Sequence, residues 1–234
     1  MSIYDNKIYR AAKRLLKSNP VTGGILKTLR RKRGEKKQLA KSVVFQSNVR
    51  KYFPEVINAF DNLGIDYFIC FGTLLGAIRE KDFIKHDDDL EMGVFSDQYD
   101  ENLFRNFEKI GFVREYRYSM NGSYMPNEGF VEKYSNGVIH FDLFVFTRSR
   151  GNLWCWSYLR DESDTLNAIK LSWKDNGLER IPFQGLDVPV PVNAPAFLEA
   201  LYGKTWNVPC VFWEDTMAGN IAETNKTDGR FCKF

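Results

Sequence analysis

No run of roughly 18 or more apolar residues occurs in the sequence, so no segment has the length and apolarity of a membrane-spanning helix. The amino terminus shows neither the apolar stretch nor the small-residue cleavage site of a secretory leader, and the expectation is a cytoplasmic protein. Cysteine is sparse. Cys70, Cys155, Cys210 and Cys232 lie far apart, a spacing that points away from zinc sites and redox dithiols; all four are expected as reduced core thiols. Internal repeats and low-complexity tracts are missing too. With 44% hydrophobic and 27% charged residues, the composition excludes disordered, collagen-like and disulfide-rich classes, and 234 residues suffice for a sizeable core.

The 33 basic and 30 acidic side chains nearly balance, but they are unevenly distributed. Residues 1–41 carry 13 Lys or Arg against Asp5 and Glu35, a net +11, which leaves the remainder at −8. Within this arm Ile8, Ala11, Ala12, Leu15 and Leu16 recur at helical spacing, while Lys7, Arg10, Lys13, Arg14 and Lys17 occupy the rest of the circumference. This is a basic amphipathic helix, with a break expected at Asn19-Pro20 and Gly23-Gly24. Two readings fit it: a solvated helix on a flexible arm, or peripheral attachment to an anionic membrane at its inner face. Nucleic acid is not the expected partner, since nothing beyond charge resembles a recognition motif.

Residues 42–234 form the expected folded domain. Val43, Val44, Val49, Phe53, Val56, Ile57 and Phe60 predict a helix over 42–62, interrupted near Pro54 and ended by Gly64. Asp66 to Phe71 predicts a buried strand, Thr73 to Arg79 a short helix opened by Gly72, and Asp89 to Phe95 a second strand. Ser96 is expected to cap the next helix, with Asp97 and Asp100 in its first turn. Strands follow at 112–119, 129–134 and 138–146, the last two joined by an Asn136-Gly137 turn. Beyond an aromatic region, 154–173, without a clear pattern, 185–191 is extended, and Ala194 to Tyr202 is a helix that Gly203 terminates. The expectation is an α/β (α+β) fold with a mixed sheet.

The run from Gly72 to Glu91 reads GTLLGAIREKDFIKHDDDLE. Gly72 and Gly76 permit close backbone approach, and Thr73 offers a hydroxyl beside free amide donors where an anion is favoured. Like charges as close as Asp87, Asp88, Asp89 and Glu91 repel unless something neutralises them. On a strand Asp87, Asp89 and Glu91 share one face, a comb of oxygen ligands suited to Mg2+ or Mn2+. Asp142 interrupts the apolar strand VIHFDLFVF, where an unpaired carboxylate would be costly, so a cation is expected beside it. His140 shares its face and is expected to be packed or hydrogen-bonded. Arg79, Lys81, Lys85 and His86 surround the acids; Arg79 is the preferred phosphate binder because its guanidinium grips bidentately.

With FGTLLGAIR, IKHDDDLEMGV and HFDLFVF in order, followed by IPFQGLDVPVPVNAPAFLEALYGKTWNVP, the chain resembles the LicD/fukutin family of nucleotidyltransferase-fold phosphotransferases over roughly residues 45–210. The sequence departs from the family's usual pattern at Glu91, where Asp is common, and at Lys85-His86, where an aromatic residue commonly precedes the acids. The resemblance implies a nucleotidyltransferase-like mixed sheet flanked by helices. It also implies transfer of a phospho-alcohol from CDP-choline, CDP-glycerol or CDP-ribitol to a sugar hydroxyl of a cell-surface glycan such as lipopolysaccharide or capsule, lipid-linked or nascent, with release of CMP. Asp87, Asp89, Glu91 and Asp142 would then hold the metal, and Asp89, Asp142 and Arg79 would be catalytic. Gly72, Thr73, Gly76, Arg79 and Lys85 would bind the donor phosphates. The alternatives are a true nucleotidyltransferase that moves a nucleoside monophosphate, and a non-catalytic subunit of glycan assembly.

Overall fold

The structure, a computed structural model, describes residues 20–160, 166–210, 213, 215–225 and 228–234. The amphipathic stretch from Ile8 to Lys17 therefore lies outside the described residues. Helix α1 spans Pro20–Asp61. It runs through Gly23-Gly24 and through Pro54, so neither expected interruption is present. A proline inside a helix removes one hydrogen bond. Here Phe45, Val49, Phe53, Val56, Ile57 and Phe60 are almost fully buried along one face, and that burial outweighs the lost bond, each side chain contributing about 1.5–3 kcal/mol.

After Gly64, with φ +64°, comes the short strand β1 (Tyr67–Ile69), which pairs antiparallel with β2 (Leu90–Phe95). Between them lie helix α2 (Phe71–Leu75) and a π-helical turn over Gly76–Glu80, where a single short helix was expected. Gly76 marks the change: a Cβ there would come within 2.6 Å of the Asp82 carbonyl oxygen. Helix α3 begins at Leu103 and runs to Lys109, later than the expected start at Ser96. The Ser96 amide is engaged by the Phe146 carbonyl (2.7 Å), which extends the sheet, and Asp100 accepts from the Asn102 amide (2.8 Å) in a turn.

The remaining elements are β3 (Val113–Met120), β4 (Phe130–Ser135), β5 (His140–Ser149), β6 (Asn152–Arg160), β7 (Leu166–Lys174), β8 (Leu178–Phe183), β9 (Leu186–Pro191), α4 (Ala194–Tyr202), β10 (Ile221–Asn225) and β11 (Gly229–Lys233). Among the described residues, nine strands form one mixed sheet, with β8 and β9 in a separate pair. Its main path is β10-β7-β6-β5-β4-β3-β11, and β2 joins β5 in parallel. The aromatic region without a clear pattern is thus the β6–β7 hairpin. The strands β10 and β11 sit at opposite ends of this path although only residues 226–228 separate them. The sheet must therefore curl, and β11 reaches β7: a Cβ on Gly229 would lie 2.5 Å from the Leu166 carbonyl oxygen.

One sheet face packs on α1 and α3 through Phe60, Phe107, Tyr134 and Phe141, with the Tyr134 and Phe141 rings stacked at 4.7 Å. The same layer buries a charged group. Glu132 Oε1 accepts from Arg114 (2.7 Å) and from Arg117 (2.6 and 2.9 Å), and Glu132 Oε2 accepts from the Tyr134 hydroxyl at 2.6 Å. Glu101 pairs with both arginines, and the Phe234 ring lies 3.9 Å from the Arg114 guanidinium carbon. Cys70 and Cys155 are buried free thiols as expected, whereas Cys210 is exposed and Cys232 half-buried, so those two are not core thiols.

Candidate active site

The opposite face of the sheet carries the acidic residues. Strand β2 starts only at Leu90, so Asp87 and Asp89 precede it in a loop and no regular strand comb forms. The loop nevertheless brings Asp87 and Asp89 to the side of the sheet that carries Glu91 and Asp142. A Cβ on Gly72 would meet Asp87 Oδ2 at 2.9 Å and Glu91 Oε1 at 3.0 Å, so any larger residue there would have to push both carboxylates aside. Glu91 stands level with Asp142 across the parallel β2–β5 pair. The Lys133 ammonium lies 3.2 Å from Asp89 Oδ2 and 3.0 Å from Asp142 Oδ1. Asp88 points elsewhere and meets Lys41 on α1 at 3.3 Å.

The chain reaches this place through a strained bend. Phe71 has φ +44°, unusual for a bulky residue, and is held by packing of its ring 4.4 Å from that of Phe144. The bend aims the next two amides at Glu91. Its carboxylate accepts from the amides of Gly72 (3.3 Å) and Thr73 (2.9 Å) and from the Thr73 hydroxyl (2.7 Å), which accepts in turn from the Glu91 amide (2.8 Å). Thr73 is therefore engaged by Glu91 rather than turned to an outside anion. The departure from Asp acquires a physical role, since the extra methylene lets the carboxylate span from β2 to the start of α2.

Electrostatics at this cluster are unbalanced. Burial and the charges of Asp89 and Asp88 push the Asp87 carboxyl up to about 8. Burial and Asp142 push Asp89 up to about 7 against the opposing pull of Lys133. Glu91 is raised by burial and by Asp87 and Asp89, with the Thr73 bonds working the other way. Burial disfavours the Lys133 charge, but Asp142 and Asp89 outweigh it and hold its pKa up. Asp142 Oδ1 lies within ion-pair distance of that ammonium yet has no aligned hydrogen bond among the described residues. An acid-rich oxygen donor set with such an atom fits a hard divalent cation. As the side chains stand, Lys133 takes part of that compensating role. No three of the described His, Cys, Asp and Glu side chains already close on a common point.

Of the other expected residues, Arg79 is beside the cluster. Its charge opposes the rise at Asp87, and its guanidinium is oriented by Glu80 (2.8 Å) and the Trp206 carbonyl (3.2 Å). Gly76 instead packs on the backbone at Asp82, and Lys85 is exposed, with its carbonyl held by Ser42 at 2.9 Å. Neither joins the acids, and Lys81 and His86 are exposed as well. His140 Nδ1 lies 3.7 Å from Glu115 Oε2 without a hydrogen bond among the described residues; burial and Lys133 hold its pKa down. Lys133 escaped the sequence reading. Counting outward from a tight Asn136-Gly137 turn would have placed it opposite His140; the four-residue loop over 136–139 shifts the register and sets it opposite Asp142. Tyr202, at the end of α4, is another wall: burial and the charges of Glu91, Asp215 and Asp87 raise its phenol.

A glycine-threonine helix start after a short strand, facing acids on two neighbouring parallel strands of a mixed sheet, is the layout of a nucleotidyltransferase domain. The chain belongs to the LicD/FKTN/FKRP nucleotidyltransferase domain family, whose model matches residues 64–193, more than half of its length. It is similar to the human ribitol-5-phosphate transferase FKTN, 22% identical over 175 residues that cover 74% of this chain and 36% of the relative. The mouse ribitol 5-phosphate transferase FKRP is 27% identical over 163 residues, covering 63% and 30%. An uncharacterized Rickettsia prowazekii protein, RP689, is 36% identical over 59 residues, 24% of this chain and 22% of its own. The chain thus spans about a third of the length of the transferases it matches.

Proposed function

We propose that this protein is a phosphotransferase that moves a phospho-alcohol of the phosphoribitol, phosphoglycerol or phosphocholine type from a CDP-activated donor to a sugar hydroxyl of a cell-surface glycan. The observation that carries the reading is the convergence of Asp87, Asp89, Glu91 and Asp142 on one face, with Asp142 Oδ1 buried and imperfectly satisfied. Family membership and the ribitol-phosphate transferase relatives support the same chemistry.

Asp89 and Asp142, with Asp87 and Glu91 beside them, would hold Mg2+ or Mn2+. A bound divalent cation supplies charge neutralisation for the pyrophosphate and for the departing CMP. Arg79 and Lys133 bring positive charge to the phosphate oxygens. Asp142 accepts the proton of the sugar hydroxyl as its oxygen bonds to the phosphorus that bears the alcohol. The bond from that phosphorus to the bridging oxygen breaks, and CMP leaves with the electron pair.

Incubation of CDP-ribitol, CDP-glycerol and CDP-choline with oligosaccharide acceptors and Mg2+ tests this. CMP release matched by a phospho-alcohol mass gain on the acceptor is expected, and excess chelator should stop it. Nucleotide found on the acceptor would favour nucleoside monophosphate transfer, no release from any donor would reject the transferase, and full activity in chelator would remove the metal from the scheme.

We also infer that the basic segment 1–41 holds the enzyme on an anionic membrane. Each Lys or Arg near such a surface contributes about 1 kcal/mol, so a few suffice at low salt. The full chain should sediment with phosphatidylserine vesicles in low salt and leave them in high salt. Indifference to such vesicles at low ionic strength would reassign the arm.

A further inference from the structure

The register of the sheet carries the catalytic face well beyond the acids. Glu91 stands level with Asp142, Asp142 with Lys133, Lys133 with Tyr116, and Tyr116 with Lys233. Residues level across neighbouring strands project to the same side. One row thus crosses β2, β5, β4, β3 and β11 from the acids to an aromatic group. There the Phe231 ring lies 5.0 Å from that of Tyr116 and 5.5 Å from that of Tyr118, at interplanar angles of 32° and 40°. Phe231 is 42% exposed, and both tyrosines are half-buried.

We propose that Tyr116, Tyr118 and Phe231 form the platform on which the acceptor glycan lies while its terminal hydroxyl reaches Asp142. The inference rests on the transferase reading and adds to it the place where the acceptor binds. Three properties favour a sugar chain as occupant. Ring faces tilted toward one another at an exposed edge match the flat C–H faces of pyranoses, which favour the negative face of an aromatic ring. Polar partners for the hydroxyls stand alongside, with Lys233 on β11 and the Glu115 and His140 pair beside β4. Two strand steps of ~4.8 Å separate Tyr116 from Asp142, roughly 10 Å, the reach of a disaccharide. In the row, Lys133 stands between Tyr116 and Asp142, so the platform adjoins the reaction site.

The test compares the full-length native chain with the Tyr116→Ala/Phe231→Ala double variant, using neutral tetrasaccharides ending in glucose, galactose or N-acetylglucosamine. Calorimetric binding of at least one tetrasaccharide should weaken about tenfold or more in the double variant, the factor that about 1.4 kcal/mol of lost stacking represents. The acceptor KM should rise by a similar factor, while the KM for the CDP-alcohol and the slow hydrolysis of donor without acceptor stay unchanged. Phe231→Tyr keeps a stacking ring on the edge strand and should bind like the native chain, which separates lost recognition from lost folding. Equal binding by native and double variant, or no binding of any tetrasaccharide to the native chain, would overturn the platform. If the native chain releases no CMP from any donor, the transferase reading fails, and the calorimetric comparison, which needs no turnover, still decides the platform.

Discussion

Asp89→Asn and Asp142→Asn should each lower kcat by about 10²–10⁴-fold, the range expected when a positioned acid or base is lost. The two residues share the Lys133 ammonium and face the same volume, so either change removes charge from the same place. The loss should appear without unfolding, and Asp89→Asn has a thermal signature that distinguishes the two outcomes. Folding raises the Asp89 carboxyl to about 7, from an ordinary value of about 3.9. A proton held more tightly in the folded chain means that ionisation costs stability as pH climbs from about 4 through 7. An uncharged Asn escapes that cost, so at pH 8 the melting temperature of Asp89→Asn should hold or rise. An inactive variant that melts far below the native protein at pH 8 would show that Asp89 supports the fold instead of the reaction, and near-native turnover in either variant would dismiss the assignment.

Glu132→Gln should be the most destabilising conservative change on the other face of the sheet. Glu132 is fully buried and receives three arginine hydrogen bonds and one from Tyr134. Neutralising it leaves two guanidiniums in the layer between sheet and helices, with the half-exposed Glu101 as the one carboxylate still paired with them among the described residues. Breaking a buried pair from one side costs about 3–5 kcal/mol, which lowers the melting temperature of a chain this size by roughly 6–20 °C. Glu101→Gln removes an acid that water already screens and should cost no more than about 1 kcal/mol. Thermal melts of the two variants side by side check the contrast. Equal, small shifts would mean that water reaches the arginines.

The parts of the fold that were legible in the sequence are those with local causes. The helix over Ala194–Tyr202 is bounded by Asn193 and Gly203, both at positive φ, and Asn136-Gly137 marks the β4–β5 hairpin directly. The acids of the candidate site were legible for a related reason: a carboxylate inside an apolar strand or beside two others is conspicuous in any register. What escaped depends on partners distant in sequence. Nothing near Glu132 announces Arg114 and Arg117, which meet it only once β3 pairs with β4. The Thr73 hydroxyl looked available because Glu91, 18 positions on, fills it only in the folded chain. Local signals also misled. Gly23-Gly24 and Pro54 are breakers by propensity, and the continuous α1 overrides them; Ser96 resembles a helix cap, but its amide completes the sheet.

The placement of β10 and β11 at the two ends of the strand path also sets an order on how the chain can fold. Neither strand has an edge to join until β7 and β3 are formed, and Gly229 must find Met120 across more than a hundred residues of chain. Such pairings repay the entropy of closing a long loop only after the intervening structure has shortened it. The curled sheet should therefore close last, after the β4–β5 hairpin and the packing of α1 are complete. Up to that moment the outer edges of β3 and β7 are open templates for another chain. The interval before closure is when this protein is most exposed to association with its own copies, and slow refolding at low concentration is the condition that favours the native product.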